Sequence, residues 1–173
     1  MSFENNWRRQ QELIARPIID AIYQSLWGDD ILISRNSEYF DKVYGIDTRV
    51  VFGNGMLLSI QEKALSWNFA AKQTLTIEYM QNIAEQGNWF LSLPQLYFCG
   101  YLVEDRTAFD SYVLVNYPTL VLWTAKTGGK WSEPLQNKQS LASLIFIRFV
   151  DIPPHCVIAS KTRRTIVEQR ILI

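Results

Sequence analysis

Three side chains near the middle of the chain, Asp47, Gln61 and Lys63, have the types and spacing to do phosphoryl chemistry. Segments 45–52 and 56–63 are rich in β-forming residues and flank Gly53-Asn54-Gly55, which is a hairpin signal. Pairing positions symmetrically about Asn54 sets Asp47 directly opposite Gln61, with Cβ atoms about 4.5–5.5 Å apart. Lys63 lies two residues beyond Gln61 and so shares its face of the sheet. A carboxylate and a second oxygen ligand can hold a hard divalent cation, Mg²⁺ or Mn²⁺, which polarises a phosphate and activates water. An ammonium group beside them orients that water or stabilises charge in the transition state. The inventory fits phosphodiester hydrolysis, with Asp47 and Gln61 as metal ligands and Lys63 as the group that positions or activates water.

The opposite face takes Ile46, Thr48, Val50, Phe52, Met56, Leu58 and Ile60, which reads as the core face. It also receives Glu62, an odd residue for a core position. A bulge is common in three-residue hairpin loops and would slip the register by one, turning Asp47 toward Glu62. Gln61 and Glu62 therefore both stand as candidates for the second ligand. The same residues also fit a hairpin whose polar side chains simply face solvent.

The elements that must position this patch are read from periodicity. Trp7, Ile14, Ile18, Ile22 and Leu26 recur at three- and four-residue steps and predict a helix over 6–27. Pro17 inside it implies either a kink or the start of a second helix. Strands are expected at 31–33 and 74–79, with a short helix between at 64–72. In the second half, 89–102 reads as a helix carrying Pro94, and 111–124 as strand-like runs broken by Pro118. A turn at Gly128-Gly129-Lys130, a buried strand at 141–150 and a final strand or helix at 165–173 complete the series. The order predicts an α/β class, an α+β mixed sheet in layers.

Composition narrows the chemistry. The chain has 173 residues, 48% of them hydrophobic and 20% charged, which suits one globular domain rather than a disordered chain. No segment approaches the roughly 18 continuous apolar residues of a membrane span, and the first residues carry no apolar leader, so a cytoplasmic protein is expected. Two cysteines and one histidine argue against a disulfide framework, a zinc cluster and a Ser-His-Asp triad. Any metal ligands should be oxygens. With 17 basic and 17 acidic residues the formal net charge is zero, which counts against a simple polycation that coats nucleic acid. The C-terminal stretch from Ser160 nevertheless sets Lys161, Arg163, Arg164 and Arg170 against Glu168 alone. Lys161, Arg163 and Arg164 are the candidate phosphate-backbone contacts; a solvated end is the other reading of the same charges.

Gly45-Ile46-Asp47, a hairpin, then Ile60-Gln61-Glu62-Lys63 resembles the PD-(D/E)xK nuclease superfamily, the restriction-endonuclease-like fold. That family's pattern is an Asp, a spacer of ten to twenty residues, then acid-x-Lys ending an apolar strand. Here Gln61 replaces the second acid, and this Gln-x-Lys variant resembles the Mrr-like branch, where Gly-Ile-Asp and Gln-x-Lys occur together. The chain departs from the pattern at Glu62, where an apolar residue is usual, and at Ile46, where the family name has Pro. The resemblance covers about residues 6–79. It implies an αβββαβ core with C-terminal elaboration, and a Mg²⁺- or Mn²⁺-dependent endonuclease acting on DNA, of phage or restriction type. It also implies that the first helix lends an acid, for which Glu12 is the candidate, and by analogy that cutting both strands takes a homodimer.

Other candidates are weaker. Glu78 between Ile77 and Tyr79 needs a partner or a metal if it faces inward. His155 after Pro153-Pro154 reads as a loop residue. A catalytically inactive nucleic-acid-binding or assembly protein on the same fold is the competing reading. A third is a plain interaction domain, which would leave Trp67, Trp89 or Trp131 exposed.

Overall fold

The computed structural model describes residues 3–36, 44–80, 87, 93–127, 135–136, 143–162 and 166–168; for 3–12, Met80, Thr127 and the two short segments 135–136 and 166–168 it describes the backbone alone. Helix α1 (Phe3–Trp27) is one continuous helix with Pro17 inside it, on the solvent side. Its buried stripe is Ala15, Ile19 and Tyr23, with Ile18, Ile22 and Leu26 partly covered. The helix stops at Gly28, whose positive φ of 97° turns the chain while its N–H still bonds the Gln24 carbonyl at 2.8 Å.

Strands β1 (Leu32–Arg35), β2 (Thr48–Val51) and β3 (Leu57–Leu65) form an antiparallel meander. The β2–β3 turn is closed by the Phe52 N–H on the Met56 carbonyl at 2.9 Å and by the Met56 N–H on Asn54 Oδ1 at 2.9 Å. The ladder pairs Thr48 with Ile60, Arg49 with Ser59, Val50 with Leu58 and Val51 with Leu57. This is the symmetric register about Asn54, and the bulged alternative does not occur.

After β3 the chain enters a 3₁₀ helix (Trp67–Lys72) and then β4 (Thr74–Met80). Here the expected core is corrected. Residues 74–79 do form a strand, but β4 does not extend the sheet beside β3; it pairs antiparallel with β8 (Ser143–Arg148) in a separate sheet of order β4-β8-β7, where β7 is Leu135–Gln136. The place beside β3 belongs to β5 (Leu96–Leu102), which runs parallel to it. Among the described residues, the helical member of the expected αβββαβ order is represented by the 3₁₀ turn alone. β5 falls in the segment expected to be helical. All seven of its residues are buried, so it shows no alternation of apolar and polar residues to mark it as a strand.

β6 (Phe109–Asn116) pairs with β5, and helix α2 (Tyr117–Thr127) follows without a loop. Pro118 does not break a strand; it sits in the first turn of α2, and Asn116 Oδ1 caps that turn by accepting the Thr119 N–H at 3.0 Å. β9 (Val157–Lys161) and β10 (Ile166–Glu168) complete a seven-stranded sheet of order β1-β2-β3-β5-β6-β9-β10.

The fold is mixed α+β in layers. On one face of the large sheet, α1 packs Ala15, Ile19 and Tyr23 on Val50, Ile60, Phe98 and Leu114. On the other, β4, β8 and α2 pack Leu75, Ile77, Ile145, Ile147 and Leu120 on Tyr97, Cys99, Val113 and Val115. β5 lies between both cores. No helix among the described residues is long and apolar enough to cross a membrane.

Candidate functional site

The site is built where β2 begins and β3 is halfway along. Asp47 stands one residue ahead of β2, and its backbone still follows the sheet: its N–H bonds the Ile60 carbonyl at 3.0 Å and its carbonyl accepts the Asn36 N–H at 2.8 Å. Its side chain is therefore set by the ladder. Asp47 Oδ2 accepts the Gln61 side-chain amide at 2.8 Å and the Glu62 backbone N–H at 2.7 Å.

A carboxylate cannot donate, so the Gln61 amide must turn its NH₂ toward Asp47 and its carbonyl oxygen away. Gln61 is only 7% exposed, and its Oε1 is buried and accepts no hydrogen bond among the described residues. Leaving a buried carbonyl oxygen unsatisfied costs on the order of 1–3 kcal/mol. Lys63 is half-buried on the same face, as alternation along β3 requires, and pairs in register with Cys99 of β5. Burial pushes the Cys99 thiol up to about 11, against the opposing pull of a Thr76 backbone hydrogen bond and the Lys63 charge. Tyr97, in register with Gln61, is pushed well above its ordinary value, first by burial, then by Cys99 and Tyr117, then by the negative charges of Asp47 and Glu78. Gln61 and Lys63 thus lie, with Tyr97 and Cys99, on the side of the sheet that faces β4 and β8, while Asp47, ahead of β2, acts on Tyr97 on that side and on Tyr23 under α1.

Glu62 points the other way, under α1, with Ile60 and Ala64. Both of its oxygens accept from Arg35 Nη1, at 2.5 and 2.6 Å, and Oε1 also accepts the Tyr23 hydroxyl at 3.1 Å. Arg35 further binds Asp20 of α1 and the Thr48 hydroxyl. Burial works against the Arg35 charge, but Glu62 and then Asp20 outweigh it and hold the guanidinium above its ordinary value. Desolvation, reinforced by the Glu62 charge, pushes the Tyr23 phenol well up. A small open cleft lies over this network, lined by Arg16, Arg35, Asp47 and Glu62 among others.

Arg35, Asp20 and Tyr23 were not reached from sequence. The signal that points to them is Glu62 itself: a carboxylate on a core face requires a counter-charge on whatever packs against it.

The remaining candidates fall elsewhere. Glu12 lies within α1, one turn before Ala15 and Arg16, with its side chain outside the described residues. Glu78 is half-buried on β4, in register with Leu144. Lys161 is half-buried at the end of β9, and its Nζ donates to the Phe109 carbonyl at 2.7 Å. Arg163 and Arg164 lie outside the described residues, as do Trp89, Trp131 and the Gly128-Gly129-Lys130 turn. His155 is exposed on a short 3₁₀ turn (Pro154–Cys156). Among the described residues no group of three or more His, Cys, Asp or Glu side chains is placed to hold a metal ion. Comparison with protein-family models, with curated proteins and with solved structures gave no match.

Proposed function

We propose that the protein is a divalent-metal-dependent endonuclease that hydrolyses phosphodiester bonds of DNA, with Asp47, Gln61 and Lys63 at its site. The observation that carries this reading is the Asp47–Gln61 pair, in which a carboxylate meets an amide whose own carbonyl oxygen is buried and unsatisfied among the described residues. The parallel β3–β5 pairing beyond an antiparallel β1–β2–β3 meander supports it.

The donor types suit Mg²⁺ or Mn²⁺, since an aspartate oxygen and an amide carbonyl oxygen are both hard ligands, and the Gln61 amide would have to turn its oxygen toward Asp47 to complete the pair. When bound, such an ion supplies Lewis-acid polarisation of the phosphate and an acidified water. The rest is done by the chain. The Glu62 N–H fixes one Asp47 oxygen, which orients the carboxylate at no cost at the moment of reaction. Lys63 carries the positive charge that holds the attacking water and offsets charge building on the phosphate. Arg35 neutralises Glu62, so that the neighbouring carboxylate does not repel an incoming phosphate.

A second reading, a catalytically silent nucleic-acid-binding protein on the same fold, is favoured by one specific feature. Asp47 Oδ2 already accepts two N–H groups, and one of them comes from the amide that must turn to offer its oxygen. The test is a panel of linear duplex DNA, single-stranded DNA and RNA incubated with Mg²⁺, Mn²⁺ or EDTA. Endonucleolytic cuts in DNA with either metal and none with EDTA are expected. Binding to DNA without cleavage in either metal selects the second reading.

A further inference from the structure

We propose that the 3₁₀ helix at the end of β3 is a stacking platform for single-stranded nucleic acid, an inference that rests on the nucleic-acid reading above and extends it to how a strand is held. Trp67 and Phe69 are 43% and 50% exposed on this helix, large aromatic surfaces on a segment whose inner side is firmly anchored. Ser66 before it is buried, and Ala70 within it is buried in the core against β5 and β6. A 3₁₀ helix repeats every three residues, so Lys72 eclipses Phe69, and its ammonium stands over that ring at 5.0 Å from the centroid.

Two exposed aromatic side chains, one of them carrying a cation, on a turn anchored by Ser66 and Ala70 have the components of a base-stacking site: ring surface for the bases and a charge for the backbone. Charge favours the same occupant. Between Glu62 and Glu78 the only charged residues are Lys63 and Lys72, so the stretch is wholly cationic. The platform also continues the strand that carries the site. Trp67 is four steps along the chain from Lys63, about 13 Å in an extended strand. A single strand stacked on Trp67 and Phe69 is therefore within a few nucleotides of Lys63. Stacking reads the ring face of any base, so the platform should be tolerant of sequence and selective for unpaired bases.

The test is the affinity of the full chain for a short oligothymidylate and for a blunt duplex of equal length, measured by fluorescence anisotropy in EDTA so that no cleavage intervenes. Trp67→Ala and Phe69→Ala are each expected to weaken oligothymidylate binding about tenfold, with duplex binding unchanged. Trp67→Phe should stay within a few-fold of wild type, because it keeps a ring. Lys72→Ala should lower the salt slope by roughly 0.7. Both aromatic side chains are solvent-exposed, and thermal unfolding of each variant checks that the fold is retained. The proposal is overturned if Trp67→Ala with Phe69→Ala binds oligothymidylate like wild type. It is equally overturned if that pair changes the oligomeric state and leaves strand affinity alone, since the patch is then a protein interface. The nuclease reading fails separately, through absence of metal-dependent cleavage, and that result leaves the EDTA affinities to be read on their own.

Discussion

Asp47 and Gln61 face each other one step beyond the β2–β3 ladder, and the Gln61 amide donates to Asp47 Oδ2 at 2.8 Å. The contact exists because position 61 is an amide. A carboxylate there would stand against Asp47 as a like charge, which destabilises the pair unless a proton or a cation intervenes. Gln61→Glu is therefore expected to lower the melting temperature in EDTA and to recover it with Mn²⁺ by a larger increment than wild type shows. Thermal unfolding across a Mn²⁺ titration measures this. Equal increments in the two proteins would mean that the pair does not hold a cation.

Glu62 illustrates the other side of the strand. Its side chain is 9% exposed and its charge is balanced by Arg35, which ties β1 to β3 and to α1. Removing one partner of a part-buried ion pair leaves the other uncompensated, at a cost between the about 1 kcal/mol of a surface bridge and the about 3–5 kcal/mol of a fully buried one. Arg35→Ala should lose stability of that order in urea unfolding, and Arg35→Ala with Glu62→Gln should recover a large part of it. A loss below about 1 kcal/mol for the single variant would place the pair among solvated surface bridges.

The hairpin was legible in the sequence because Gly53-Asn54-Gly55 fixes the turn and the alternating apolar face fixes the register, so the Asp47–Gln61 opposition follows from two local rules. β5 was not legible. Leu96 to Leu102 is buried on both faces, and a uniformly apolar run carries no period from which to tell strand from helix. Pro118 misled for a related reason: beside strand-like residues it reads as a breaker, whereas the Asn116 cap makes it a helix start. The place of β4 in a second sheet depends on β8, some seventy residues later, and no local pattern encodes that pairing. Within the site, the side of the sheet on which Gln61 and Glu62 each fall was fixed only by the register, and the Arg35 counter-charge only by the packing of α1.

Alkaline pH should loosen the interior. Burial pushes the Cys99 thiol from 9.0 up to about 11, and it holds Tyr23 and Tyr97 well above 10.0. In each case the folded state binds the proton more tightly than the unfolded chain does. The stabilisation is thus complete below pH 9.0 and falls as the pH rises toward about 11, with the tyrosines adding to the loss above 10.0. Urea midpoints measured across that window should decline steadily. A flat profile would show that these side chains reach solvent.

The most direct measurement of the central claim is the single-turnover rate of DNA cleavage in Mn²⁺ by wild type, Asp47→Ala and Lys63→Ala, with DNA affinity measured in parallel. Removing a group that stabilises the transition state typically costs about 10²–10³ in rate. Lys63→Ala should fall by roughly 10²-fold or more, and Asp47→Ala by at least as much, with affinity little changed in either. Cleavage by Asp47→Ala or Lys63→Ala at the wild-type rate would contradict the assignment of the chemistry to this hairpin.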